Sequence, residues 1–465
     1  MTNGIAAVVF ALAIAGLFWL DRDPKSRTSK ALWIPVLWLL IVGSRNISAW
    51  LGATPTIVAP NAYLDGSPLD RFVFTILLVS GLMVLISRGK KVRVLLLKNG
   101  PIVLFFAYCA LSILWSDFPG VAFKRWNKGV GDLVMVLIVL TDSDPIAATK
   151  RFLARTGFLL LPISVLFIKY YPELGRGYNA FTWTRFFVGV TESKNSLGMI
   201  CMLSGLGATW RLLREFHGEG GTRRTGPLVA QCTLLAMALW LMWIANSVTS
   251  LSCFLVAGGL MVLTSRPALV RRRAVVHILV AVTLAISFSA LFLNSGAGLL
   301  EDMGRDATLT GRTEIWSDVL SMNTNPLLGT GFESFWLGPR LEQMWAKWYW
   351  HPNEAHNGYI EVYLELGWIG EGLLALLLAT GYWRIVGAVC LQQKAAILML
   401  AYFVVAVIYN FTESAIRILH PAWIFLLWGT IAASETPVRE GVPLTTSSAD
   451  MPPALVAARS SDIVV

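Results

Sequence analysis

The chain has 465 residues, of which 55% are hydrophobic and only 14% charged, with a mean hydropathy of +0.62. A soluble domain carries about a quarter charged residues, so the composition excludes an ordinary soluble enzyme. Continuous apolar runs, rather than alternating ones, argue against a β-barrel, and the net charge of +10 reflects the Lys and Arg that collect in cytoplasmic loops of membrane proteins, with no call for nucleic acid.

From the N-terminus, apolar runs predict membrane spans at 4–20, 31–44, 72–87, 101–115, 126–141, 153–168, 196–211, 227–245, 248–264, 274–293, 359–382, 395–410 and 418–434. The expected fold is all-α: a polytopic helical membrane protein with about 12–13 transmembrane helices, forming a single membrane domain over 1–434. The run 4–20 has no small-residue cleavage site before Asp21 and reads as a retained first span. With the N-terminus outside, 24 of the 38 Lys and Arg fall in the inside segments. The positive-inside rule therefore predicts an outside N-terminus and an inside C-terminus. The tail 435–465, rich in Pro, Ser, Thr and Ala, reads as disordered. Five cysteines, none in a CxxC pattern, suggest neither a disulfide nor a zinc site.

Three outside segments carry the polar chemistry. The turn 116–128 holds Asp117, Lys124, Arg125 and Lys128. The loop 169–195 holds Lys169, Arg176, Arg185, Glu192, Lys194 and Asn195; its arginines suit an anionic lipid headgroup, or are solvated loop charge. The loop 294–358 runs to about sixty residues, a length usually functional. Within it, Thr310 or Gly311 caps a short helix that Asn325-Pro326 stops. Arg312 in the first turn, beside free helix N–H groups, suits a phosphate; a pair with Asp318 or Glu314 is the alternative. Gly329 and Gly331 read as a turn. Trp336, Trp345, Trp348 and Trp350 are either an interfacial belt or sugar-stacking platforms. The polar turn 245–250 satisfies helix ends.

The stretch HPNEAHNGYIEVYLELGWIG, 351–370, places two histidines and three carboxylates at the edge of a span. Asn353 or Asn357 starts its helix. At 100° per residue, His356, Tyr359 and Tyr363 share one face, while Glu361 and Glu365 share another with Asn357 near it. By that phase the histidine and glutamates need not touch. His356 is suited to take a proton from a hydroxyl, or is a structural histidine. The spacing of His351 and His356 is poor for zinc. Carboxylates this near a membrane are functional or well paired.

HNGYIEVYLELGWIG, with His356, Asn357, Gly367 and Gly370, resembles the O-antigen ligase and polymerase superfamily. GRTEIW at 311–316 with the following GTGFESFW, and Arg185, Gly189 and KNSLG at 194–198, support the resemblance, which is nearest the exopolysaccharide-polymerase branch. It implies a metal-independent glycosyltransferase of the bacterial inner membrane, with no cofactor. The implied donor is an undecaprenyl-diphosphate-linked glycan at the periplasmic face. The implied acceptor is a sugar hydroxyl, on another lipid-linked repeat (polymerase) or on lipid A core (ligase), in company with other polysaccharide-export proteins. By matching positions, His356 is the catalytic residue and Arg312 and Arg185 bind the diphosphate. Asn357, Glu361, Glu365, Lys194, Asn195 and Arg125 stand as supporting residues. A transporter or flippase of the same lipid is the rival from another class; it would place its charges in a central cavity at mid-span. A passive scaffold accounts for neither His356 nor Arg312.

Overall fold

The computed structural model describes residues 2–23, 27–53, 64, 66–178, 183–216, 224–292, 310–322 and 324–435. Positions 436–465 of the predicted tail and 294–309 of the large loop lie outside the described residues. The longer helices are α1 (Asn3–Leu20), α2 (Trp33–Val42), α3 (Pro68–Ser87), α4 (Gly89–Lys98), α5 (Gly100–Leu111), α6 (Pro119–Leu140), α7 (Pro145–Tyr170), α8 (Lys194–Phe216), α9 (Thr225–Ala245) and α10 (Val248–Thr264). They continue with α11 (Arg273–Phe292), α12 (Thr310–Ser321), α13 (Gly338–Lys347), α14 (Gly358–Cys390), α15 (Ala396–Tyr409) and α16 (Pro421–Ala432). A small antiparallel hairpin, β1 (Arg176–Tyr178) and β2 (Arg185–Phe187), pairs Gly177 with Phe186.

Each of the thirteen predicted spans overlaps a helix. Among the described residues six helices, α1, α3, α7, α8, α9 and α14, are long and apolar enough to cross a membrane, and α4 with α5, bent by 90°, makes up to seven. The other predicted spans are met by shorter helices. The chain is thus an all-α polytopic membrane protein. Local sequence explains where several helices start. Ser67 accepts from the Asp70 N–H ahead of Pro68, and Asp144 accepts from the Ile146 and Ala147 N–H groups ahead of Pro145. Both are side-chain caps followed by proline at the first helical position.

Burial ranks the helices. All of α16 and nearly all of α15 are buried, as expected of helices that are apolar all round and sit centrally. By contrast α1 buries only Ala6 and Leu17 and forms the rim. The buried carboxylate of Asp132 on α6 accepts from Trp38 Nε1 of α2 at 2.8 Å and from the Leu419 N–H at 2.9 Å. It joins two helices to the loop that precedes α16.

The feature that builds the site is a break in α14. Gly367 has φ +62° and ψ −166° inside that helix, freeing backbone groups on both sides. The segment 326–331 docks on them: the Thr330 N–H donates to Leu364 O at 3.1 Å and the Gly331 N–H to Glu365 O at 2.8 Å. In return the Trp368 and Ile369 N–H groups donate to Pro326 O and Leu327 O, at 2.9 and 3.3 Å. Tyr108 Oη donates to Leu366 O at 3.1 Å. Irregular backbone among apolar helices survives only where its polar groups are paired in this way. A Cβ at Gly367 would lie 2.3 Å from the Leu327 carbonyl carbon, so no other residue fits. A second core of Ile315, Val319, Phe335, Trp336, Leu341, Met344, Ala355 and Leu364 glues α12 and α13 to this end of α14.

Candidate functional site

Asn357 caps α14: its Oδ1 accepts from the Tyr359 and Ile360 N–H groups, at 3.0 and 3.1 Å. The following Gly358 is forced by close approach, because a Cβ there would meet Asn410 Oδ1 at 1.9 Å. His356 therefore stands just before the helix, with φ +52°. For a non-glycine residue this costs on the order of 1–3 kcal/mol and persists only where the surroundings enforce it. Glu333 (φ +54°) and Leu419 (φ +52°) share the strain, and all three line the same cavity.

That cavity, of about 720 Å³, lies between the loop end of α6, the start of α8, the first turns of α14 and the loop 410–420. Its cations are Arg125, Lys128 and Arg417, and its carboxylates are Glu192, Glu333, Glu354, Glu361, Glu365 and Glu413. His356, His420 and Asn195 complete the polar lining. A larger and more open cavity, about 980 Å³, is lined at the other end of α6 by Arg27, Arg88, Lys90 and Lys91. Its lining includes neither imidazole nor carboxylate, so the acid–base chemistry belongs to the smaller one.

The centre is a chain of alternating charge. Arg417 Nη1 donates to Glu354 Oε2 at 2.6 Å, and Glu354 Oε1 lies 3.0 Å from His356 Nδ1. On the other side Glu413 Oε2 lies 3.5 Å from the same Nδ1, while Glu413 Oε1 accepts from Arg312 Nη2 at 3.2 Å and from Asn195 Nδ2 at 3.1 Å. Neither carboxylate lies along the ring N–H direction, so Nδ1 has charge contacts but no aligned hydrogen bond. Burial alone would lower the His356 pKa; the two carboxylates more than offset it and push it up to about 9. Burial would raise Glu354, but His356 and the Arg417 guanidinium bring it down to about 2. With both carboxylates at Nδ1, Nε2 is the ring nitrogen left for a substrate.

The ligand atoms of Glu354, His356 and Glu413 lie within 4.8 Å of one another, close enough to ring a cation. Both carboxylates already hold a guanidinium, whose charge opposes a metal ion there. The arrangement is that of an ion-pair network.

His356 makes its polar contacts with Glu354 and Glu413 and none with Glu361 or Glu365, in keeping with the expectation that they need not touch, although the helical phase that argued it does not apply. Glu361 and Glu365 line the same cavity as His356, because His356 precedes the helix and its left-handed backbone breaks the 100° phase. Glu361 is a structural anchor: it accepts from Trp336 Nε1 at 2.8 Å, from Ser414 Oγ at 3.3 Å and from the Ala355 N–H. Glu365 accepts from the Glu333 N–H at 2.9 Å. Arg125 reaches the Glu333 carboxylate at 3.7 Å. Arg312 does not itself line the cavity; it pairs with the lining carboxylate of Glu413 and not with Asp318 or Glu314, and Asp318 instead holds Lys347 and Trp348. Lys194 opens α8 beside Asn195 but does not line the cavity. Arg185 sits exposed on β2, its guanidinium 5.2 Å from the Phe187 ring centre, and is not among the lining residues. The tryptophans tie the loop to itself: besides Trp336, Trp345 donates to Pro352 O and Trp348 to Asp318. Sequence reasoning passed over Glu354, Glu413, Arg417 and Asp132. For Asp132 a signal existed, a lone carboxylate inside an apolar run. The pairs to Glu413 and Arg417 span 57 or more residues and leave no periodic trace.

Fold and site together define a polytopic helical membrane protein with an ion-paired histidine in a polar cavity, set at one end of its bundle. Residues 222–377, which hold Arg312, His356, Asn357, Glu361 and Glu365, match the family model described as O-Antigen ligase. The chain is also similar to the exopolysaccharide production protein ExoQ of Rhizobium meliloti (strain 1021). It is 27% identical over 349 residues, which cover 72% of this chain and 77% of that relative. Both matches bear out the resemblance to the O-antigen ligase and polymerase superfamily read from the sequence.

Proposed function

We propose that the protein is a membrane glycosyltransferase of polysaccharide biosynthesis. It polymerises undecaprenyl-diphosphate-linked oligosaccharide repeats at the periplasmic face of the bacterial inner membrane. The observation that carries the reading is His356, held at Nδ1 by two carboxylates that are each backed by an arginine, on a polar cavity at the edge of the spans. The cavity volume fits a diphosphate and its first sugars. In the proposed step the acceptor hydroxyl oxygen attacks the anomeric carbon and the carbon–oxygen bond to the diphosphate breaks. The lipid diphosphate leaves with the bonding electrons, and the hydroxyl proton passes to His356 Nε2. Arg312 neutralises the growing charge on the leaving diphosphate, the role a metal ion fills elsewhere. Attack opposite the leaving group inverts the anomeric centre. Neither arginine of the expected pair lines the cavity; Arg312 reaches its wall at Glu413 while Arg185 lies exposed on β2, so the reading leans on Arg312.

The ligase reading shares donor and chemistry and differs only in acceptor. Transport is disfavoured by a cavity whose charged groups gather at one end of the bundle, on loops and helix starts.

The test is the purified protein, supplied with polyprenyl-diphosphate-linked oligosaccharide in EDTA, without nucleotide or ion gradient. Longer lipid-linked glycan, with one lipid diphosphate released per new bond, is expected. Elongation only when lipid A core is added would mean ligase. Movement of the lipid across a bilayer with no new bond would overturn the enzyme reading.

A further inference from the structure

We propose that Arg417 is a further ligand of the donor's diphosphate, one that sequence motifs do not mark; the inference rests on the donor reading above. Arg417 lies outside the matched segment, on the loop joining α15 to α16. The two backbone N–H groups before it and the two after it are each tied to a side-chain oxygen. Those of Ala415 and Ile416 donate to Asn410 Oδ1 at 2.8 and 2.9 Å, that of Ile418 to Glu333 Oε1 at 3.3 Å, and that of Leu419 to Asp132 Oδ2 at 2.9 Å. The backbone at this one residue is thus fixed from three different elements. Ala415 and Ile416 are buried, 1% and 8% exposed, yet the Arg417 side chain keeps 37% of its surface accessible, and it lines the cavity. Its hydrogen-bonded partner among the described residues is Glu354, through a single Nη1–H bond, while the carboxylates of Glu333, Glu361 and Glu365 act on its charge without a bond. A guanidinium carries five donors in a planar fork suited to phosphate oxygens, so most of this one is unspent. A residue that only neutralised Glu354 would need neither the fixed backbone nor the open face.

Glu354 therefore competes with an incoming diphosphate for Arg417. That gives the two halves of one ion pair opposite effects on binding. Removing the arginine removes a ligand, while removing the carboxylate frees it.

The experiment uses the purified full-length chain in detergent and measures dissociation constants for polyprenyl diphosphate, with inorganic diphosphate and phosphatidylglycerol as competitors. Arg417→Gln is expected to weaken polyprenyl diphosphate binding by about tenfold or more, as loss of charged hydrogen bonds does. Arg417→Lys should recover part of it, and Glu354→Gln should bind as tightly as wild type or more tightly. Inorganic diphosphate should compete in wild type and do so about tenfold less well in Arg417→Gln. Equal loss in Arg417→Gln and Glu354→Gln would overturn the proposal, since the pair would then be structural. So would unchanged binding in Arg417→Gln, or competition by phosphatidylglycerol alone. If Arg417→Gln does not fold, the Lys variant and the sign of the Glu354→Gln effect still decide. A wild-type chain that binds neither diphosphate would sink the donor reading itself, a result distinct from any of these.

Discussion

Replacing Glu354 by Gln should move the pH dependence of the enzyme downward. His356 rises from 6.5 to about 9, a preference for imidazolium worth roughly 3 kcal/mol. Two carboxylates supply it against the opposing effect of burial. Glu354 is the nearer, 3.0 Å against 3.5 Å, and each of the two carboxylates is also paired with one arginine. Removing Glu354 also leaves the Arg417 charge without its hydrogen-bonded carboxylate, which acts in the same direction. A drop of about one unit or more follows. If neutral His356 is the base, only about 1% of the enzyme is competent at pH 7, and kcat/KM climbs with pH to a midpoint near 9. The anionic donor favours imidazolium as well, so the midpoint of kcat lies above that of kcat/KM. The assay is kcat/KM for lipid-linked substrate from pH 6 to about 10.5, wild type against Glu354→Gln. A wild-type profile that falls across this range, or a midpoint unmoved by the substitution, would refute His356 as the base.

Two further outcomes separate chemistry from architecture. Arg312→Ala should abolish polymer at normal protein abundance, measured by immunoblot beside polysaccharide yield, and Arg312→Lys should rescue poorly because a point charge does not replace a planar fork. Glu361→Ala should instead lower abundance and the thermal midpoint. It leaves the Trp336 indole N–H, the Ser414 hydroxyl and the Ala355 N–H without an acceptor, at about 1–3 kcal/mol for each buried donor. An Glu361→Ala chain as abundant and heat-stable as wild type, yet inactive, would move Glu361 from anchor to chemistry.

The helices were legible because apolar runs of membrane length leave few alternatives, and each predicted span falls on a helix. Asn357 as a cap and the turn at Gly329 and Gly331, with φ +68° and +93°, were legible from residue type. The break at Gly367 was not, since a glycine within a long apolar helix carries no local sign that a distant loop docks on it. Helical phase does not extend to His356, whose backbone is left-handed, so its sharing a cavity with Glu361 and Glu365 is not legible from 100° spacing. Family motifs mark Arg312 and His356 and leave out Glu354, two residues from the histidine, as well as Glu413 and Arg417, which reach the site only through the fold.

The most direct test of the central claim is the glycan made by cells carrying His356→Ala. Surface polysaccharide and lipid-linked repeat units would both be extracted and sized by mass spectrometry. The account predicts that single repeat units accumulate on lipid while long polymer disappears, with the protein present at normal abundance. Unchanged polymer in both fractions would leave His356 a structural residue and contradict the glycosyltransferase reading.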